Sequence, residues 1–377
     1  MTVKTVPGSR SLPAGLLAGA LISLTGCGGF FVPNTTNTGG GGTASGTDRV
    51  YVMASTAQTI SGFTLGTGTL TAVSGNPLAV SFAPQAAVVS RDGSHLYVGG
   101  PGTLSLYDVA SDGSLSAAGA VYLATVASLD VSPDGQWLFG LDLISQVIDE
   151  WQINSDGTLN TVQPLQYSIG KGVWSPKSLR VAPSGALIFA AVGTAGDVVF
   201  TLDTTTGLVA QSQTLGPVDS QTSDNAFAIN SGSTTLYLAR SGTSGGLGVY
   251  SIGLNGLLTP ISGSPYATGN GSNSIALEGT GKYVYVANRA DSTISGFAIG
   301  TTGALTALTG SPFAAGTGVT SIGVDSSGDY LLAAASGGTP DLALYSFDTT
   351  TPGKLISAAT KSVGTAPTGA SIVALTH

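Results

Sequence analysis

Charge is what this chain of 377 residues lacks most: only 8% of its side chains are Asp, Glu, Lys or Arg. Helices of soluble proteins carry Glu, Lys and Arg on their outer faces, and here there are two glutamates in all, Glu150 and Glu278. A largely helical fold is thereby excluded. Twelve Lys and Arg stand against 20 Asp and Glu, too few to build a surface that neutralises phosphates, so nucleic acid is not expected as a partner. His95 and His377 are the only histidines, which argues against a histidine general base and a His-rich metal site. No metal and no cofactor is expected. With Cys27 as the single cysteine, disulfides cannot staple the fold, and burial of apolar surface must hold it together.

The one segment of unbroken apolar character lies at the amino terminus. Lys4 and Arg10 flank the start of "LPAGLLAGALISL", which is too short to span a bilayer and has the layout of a signal-peptide core. "LTGC" follows at residues 24–27 and resembles the lipobox of bacterial lipoproteins. The resemblance implies that residues 1–26 are a lipoprotein signal peptide and that Cys27 is lipidated, with membrane lipid as its partner. The diacylglyceryl thioether and amide-linked acyl chain that the resemblance implies for Cys27 together exceed the two-anchor threshold for stable membrane attachment. By the sorting pattern of Gram-negative lipoproteins, Gly28 after the cysteine points to the outer membrane, so an exported, envelope-anchored chain is expected. Residues 27–48, rich in Gly, Thr and Asn, read as a flexible linker, with an r.m.s. reach of roughly 25 Å.

From Arg49 onward the chain repeats itself. A tight Gly turn between apolar runs recurs seven times: "GTGTL", "SDGSL", "SDGTL", "TTGLV", "LNGLL", "TTGAL" and "TPGKL". A second series of turns, "RDGS", "PDGQ", "PSGA", "SGST", "GTGK" and "SSGD", interleaves with it, each followed by a strand such as "LYVGG", "WLFGL" or "VYVAN". A period of roughly forty to fifty residues with four short strands per copy is the pattern of a β-propeller blade. Residues 49–377 are therefore expected to form an all-β, seven-bladed β-propeller of four-stranded antiparallel blades. The copy beginning "RVYVMAS" lacks the strand that precedes the second turn in the others, and "SIVALT" at the carboxyl terminus supplies a spare one. Ring closure by that C-terminal strand would remove free sheet edges.

The run "YVYVAN", "STISGF", "TTGALT" and "GSPF" resembles the YVTN-type repeats of the lactonase-like seven-bladed propellers, a family that includes 6-phosphogluconolactonase. The resemblance spans residues 49–377 and implies a lactone hydrolase as one possible activity. This sequence departs from the family where repeats often carry Pro-x-His seven residues before the turn glycine: the matching positions are Ala86, Ser128 and Ser178.

Within each blade both series of tight turns fall on one face, leaving the longer, variable loops on the other, where function is expected. The turn aspartates Asp92, Asp112, Asp134 and Asp156 read as structural. The variable face is expected to collect Lys171, Trp174, Lys177 and Arg180 from one connection, together with Arg240 and Arg289, which both stand eight residues after a turn glycine and so read as equivalent. Lys171, Lys177, Arg180, Arg240 and Arg289 are the ligand-binding candidates, an anion- or sugar-binding rim with Arg forks for carboxylate or phosphate. Solvated loop charges and inter-blade ion pairs are the competing reading. Asp219 and Asp224 are the weak catalytic candidates, as a carboxylate pair able to activate water.

Two functions remain open from sequence. One is an envelope-anchored binding or scaffold module, monomeric, presenting its variable face to a protein, glycan or small anion. The other is a lactonase acting on a sugar lactone.

Overall fold

The computed structural model describes residues 48–170, 175–338, 340–364 and 371–375. Alternating runs of Val, Ile, Leu, Tyr and Ala form antiparallel sheets because every second side chain can enter a neighbouring core. Seven such sheets result, each with four strands in simple order from axis to rim, two of them with one extra short strand. Among the described residues the only helical element is a single 3₁₀ turn, Leu254–Gly256.

The sheets are the blades of a propeller. Numbered in chain order, blades 2 to 7 begin at the axis with Ala86–Val89, Val126–Val131, Ser178–Val181, Thr222–Ile229, Ser272–Leu277 and Val319–Val324. Blade 1 takes its innermost strand, Ser371–Leu375, from the far end of the chain, paired antiparallel to Arg49–Ala54 with Val52 opposite Val373. The expected ring closure is thus present. The seven innermost strands touch in an unbroken cycle round the axis.

All seven turns between the third and outermost strands carry a glycine with φ between 64 and 84°: Gly68, Gly113, Gly157, Gly207, Gly256, Gly303 and Gly353. This left-handed conformation strains residues with a Cβ and explains why glycine recurs there. The turn aspartates do what the sequence implied: Asp92, Asp112, Asp134 and Asp156 each accept the amide of the residue two places on.

Seven apolar clusters, one per blade interface, make up the core. One second-strand position shows how the interfaces are locked. Tyr51, Tyr97 and Tyr285 are fully buried there, and their hydroxyls donate to the carbonyls of Gly113, Gly157 and Gly353, the turn glycines of the following blades. Burial raises the Tyr51 phenol to about 12, the nearby Arg49 charge opposing and Asp112 adding to the shift. In blades 3 and 4 the same position is Phe139 and Phe189.

The innermost strands present a free edge to the axis, whose N–H groups need partners. Neighbouring blades supply several of them: Leu179 N–H donates to Ser128 Oγ at 3.0 Å, Val181 N–H to Asp130 Oδ2 at 2.9 Å, and Ile322 N–H to Ser274 Oγ at 3.1 Å.

Candidate ligand cleft between blades 5 and 6

On the variable face, blades 5 and 6 part to leave a polar cleft of about 720 Å³, lined by Gln221, Arg240, Ser241, Thr243, Thr268 and Asn270 with intervening glycines. It is the second-to-third-strand loop of blade 5 that forms one wall, and the entry to blade 6 that forms the other. Four innermost strands carry a register shift at this end, including one between Asp224 and Ala226 and one between Ser272 and Ser274. Each bulged residue is turned out of the ladder. Asn225 and Asn273, the residues so displaced in blades 5 and 6, use their amides to bridge to the next blade: Asn225 Nδ2 donates to Ser272 O at 2.7 Å, and Asn273 Nδ2 to Thr320 O at 2.8 Å.

Arg240 forms the floor. It stands two residues before the end of the second strand of blade 5, Thr235–Gly242, is only 5% exposed, and its Nε lies 2.5 Å from Asp224 Oδ1. The guanidinium carbon sits 5.5 Å from the centre of the Tyr250 ring, a cation–π contact. A Cβ on Gly248 would come within 3.2 Å of Arg240 Nη1, so the glycine makes the room that the side chain occupies. Burial opposes the charge on Arg240, but the Asp224 carboxylate, with smaller help from Tyr250 and Asp197, outweighs it and raises the guanidinium pKa.

Asp197 is a residue that sequence reasoning missed. It stands on the third strand of blade 4 where the other blades have Ile60, Leu104, Ile148, Leu247, Ile294 and Leu342. An aspartate, 1% exposed, thus replaces a core aliphatic at the one interface that, among the described residues, buries an arginine. The signal was legible in the repeat alignment, as the single acid in an otherwise apolar column.

The catalytic candidates do not form a free carboxylate pair. Asp224 is committed to Arg240, and Asp219 is held in its own loop by Ser244 Oγ at 2.6 Å, Gln221 N–H at 2.8 Å and Thr222 Oγ1 at 2.9 Å. These bonds, Ser244's first, stabilise its ionised form and lower its pKa. Among the described residues no cluster of His, Cys, Asp and Glu is composed to hold a metal.

The cationic candidates are brought together only in part. Arg240 and Arg289 are not equivalent. In blade 5 the left-handed turn residue is Ser233, φ 53°, rather than Gly232, whereas in blade 6 it is Gly281. Counting from the glycine misplaces blade 5 by one residue, and the register pairs Arg240 with the position of Asn288. Asn288 is fully buried and bonded to Ser272, Thr293 and Ser295. Arg289 is exposed beside it, its amide donating to Gly271 O at 3.0 Å. Arg180 is not on the variable face: it lies within the innermost strand of blade 4, and its side chain opens into the axial channel near the tight turns. Lys177 is exposed just before that strand. Lys171 and Trp174 lie outside the described residues, as does Cys27.

Two further acids are buried in the third strand of blade 3. Asp149, 1% exposed, accepts Gln166 Nε2 at 2.9 Å; burial raises it to about 7, the Gln166 bond opposing and the Asp142 charge adding. Glu150, 2% exposed, is likewise raised to about 7 by burial, with the nearby Tyr167 hydroxyl opposing the shift.

Fold and cleft together define a seven-bladed propeller with a hydrogen-bonding cleft on its variable face. The profile of the family described as "Lactonase, 7-bladed beta-propeller" matches residues 46–368, and the chain belongs to that family. Among solved structures, a Bacteroides fragilis protein assigned as a candidate 6-phosphogluconolactonase is similar at 18% identity and a TM-score of 0.74, over 90% of this chain and 100% of that one. A Bacteroides uniformis protein of the same assignment is similar at 19% identity and a TM-score of 0.71, over 82% of this chain and 95% of that one. The periplasmic gluconolactonase of Pseudomonas aeruginosa is similar at 20% identity and a TM-score of 0.55, over 66% and 76%. At these identities the likeness is one of fold. No curated protein sequence matches.

Proposed function

We propose that this lactonase-family propeller is a binding module, held at the cell envelope through a lipid on Cys27, whose cleft between blades 5 and 6 takes a small polyhydroxylated ligand such as a sugar. The observation that carries the reading is the neutralisation of Arg240 by Asp224 at 2.5 Å. With that charge committed, the cleft offers amides and hydroxyls, from Gln221, Ser241, Thr243, Thr268 and Asn270, which suit the many neutral donors and acceptors of a sugar. Of the described residues, the one histidine, His95, sits on the opposite face with its Nδ1 3.2 Å from Asp108.

The second reading, hydrolysis of a sugar lactone, is favoured by the family and by the assignments of its structural neighbours. One experiment separates the two. The purified full chain is mixed with a panel of sugar lactones and, in parallel, with the parent sugars. Sugar binding that Gln221→Ala and Thr243→Ala weaken, without lactone turnover above the blank, is the expected result. Turnover that Asp224→Asn abolishes in a folded variant would shift the conclusion to the lactonase. For the anchor, Cys27→Ser is expected to release the protein from the membrane fraction, and unchanged membrane retention would refute it.

A further inference from the structure

The axial channel has a second mouth, on the face of the tight turns, and its chemistry differs from that of the cleft. All seven innermost strands converge there on a cavity of about 270 Å³. In register round its wall stand Val88, Asp130, Arg180, Ala228, Ala276 and Gly323. Four of these are small or aliphatic, and Ile229, Leu277 and Ile322 continue the apolar lining.

The charged groups at this mouth are occupied, with one exception. Asp130 Oδ1 accepts Val131 N–H at 2.9 Å and Oδ2 accepts Val181 N–H at 2.9 Å, while Arg91 Nη2 stands 3.8 Å away. Arg91 itself donates to the carbonyls of Val131 and Ser132. Glu278, 8% exposed, accepts the hydroxyl of Thr280. Arg180 is exposed, and its one hydrogen bond among the described residues runs from Nη1 to the carbonyl of its own neighbour Leu179, at 2.9 Å. A guanidinium has five donors, and the described residues take up only one of them. Among the described residues no carboxylate is paired with it.

We propose that this turn-face mouth is a binding site for a small monocarboxylate with an apolar body, its carboxylate received by the fork of Arg180 and its body by the aliphatic wall. An arginine fork matches a carboxylate bidentately. Size and charge narrow the class. The cavity lies at or below the lower end of ordinary ligand pockets, about 300 Å³, which admits a single ring or a short chain. Asp130 and Glu278 on the same rim repel a second negative charge, so a phosphate dianion or a dicarboxylate is disfavoured.

The test is calorimetric titration of the full chain with benzoate and with benzamide, which share a shape and differ in charge. Saturable benzoate binding is expected, with benzamide weaker by roughly tenfold or more. Arg180→Ala should lose benzoate affinity by a similar factor. It should fold normally, because alanine already holds this position in blades 5 and 6. Ala228→Leu, which fills the cavity and leaves Arg180 in place, should also weaken benzoate. Gln221→Ala and Thr243→Ala, in the variable-face cleft, should leave it unchanged. The proposal is overturned by equal binding of benzoate and benzamide, by undiminished benzoate binding in Arg180→Ala, or by the absence of saturable benzoate binding. The benzoate and benzamide comparison on the unaltered protein stands whether or not any variant folds.

Discussion

Arg240 Nε lies 2.5 Å from Asp224 Oδ1, and the two residues are direct partners in the antiparallel register of blade 5. Both are almost wholly buried, with Asp197 acting on the same guanidinium from the neighbouring blade. The pair closes the blade 4 to blade 5 interface at its variable end and sets the floor of the cleft.

Removing one partner leaves the other charged and desolvated. Asp224→Asn is expected to lower the unfolding free energy by about 3 to 5 kcal/mol, and Arg240→Met combined with Asp224→Asn should recover part of that loss. Urea titrations of the two single variants and the double variant measure the coupling. Strictly additive losses would show that the pair contributes no mutual stabilisation.

Stability should also depend on pH through Asp149. The unfolded carboxyl releases its proton near 4, while the folded one, buried in blade 3, holds it to about 7. Its contribution to stability is therefore fully present below the unfolded value and is lost as pH rises through about 7. Asp149→Asn is expected to stabilise the protein by on the order of 3 kcal/mol at pH 8 and by little at pH 4. Glu150 is shifted in the same direction and adds to the trend in the unaltered protein. Denaturant midpoints at pH 4, 6 and 8 give the comparison, and a gain independent of pH would contradict the assignment.

Tyr285→Phe isolates one inter-blade lock. The ring has a natural counterpart in Phe139 and Phe189, which occupy the same position, so packing is preserved. What is lost is the 2.6 Å bond from the hydroxyl to Gly353 O. A cost of about 1 to 2 kcal/mol is expected, as for a buried carbonyl deprived of its donor, read from the shift in thermal or urea midpoint.

Ending the chain at Gly364 removes the strand Ser371–Leu375, and with it the innermost layer of blade 1. The edge of Arg49–Ala54, five of whose six residues are buried, would then face the axis unpaired. Loss of cooperative unfolding and a shift to large aggregates in size-exclusion chromatography are the expected outcomes. A monomer with an unchanged midpoint would mean that closure does not depend on that strand.

Much of this architecture was written locally. Alternating apolar runs select strands, and turn glycines at φ between 64 and 84° select hairpins. Their sevenfold recurrence, with one strand missing at the start and spare at the end, is enough to specify a closed ring. These are short-range properties, and any copy can be compared with the next by eye.

The site was legible only in part, because a repeat alignment by glycine assumes that glycine always holds the left-handed turn position. In blade 5 Ser233 holds it, and that single-residue offset made Arg240 and Arg289 look equivalent when one is buried beneath the cleft and the other exposed beside it. Arg180 shows the same limit. Its sequence neighbours Lys177 and Lys171 suggested a shared cationic rim, but a strand rises about 3.3 Å per residue, and three positions along the innermost strand carry Arg180 down the channel toward the opposite mouth. Sequence determined the blade, its turns and the closure of the ring. The register of blade 5 pairs Asp224 with Arg240, but Asp197 acts on the same guanidinium from blade 4 only because those two blades pack together.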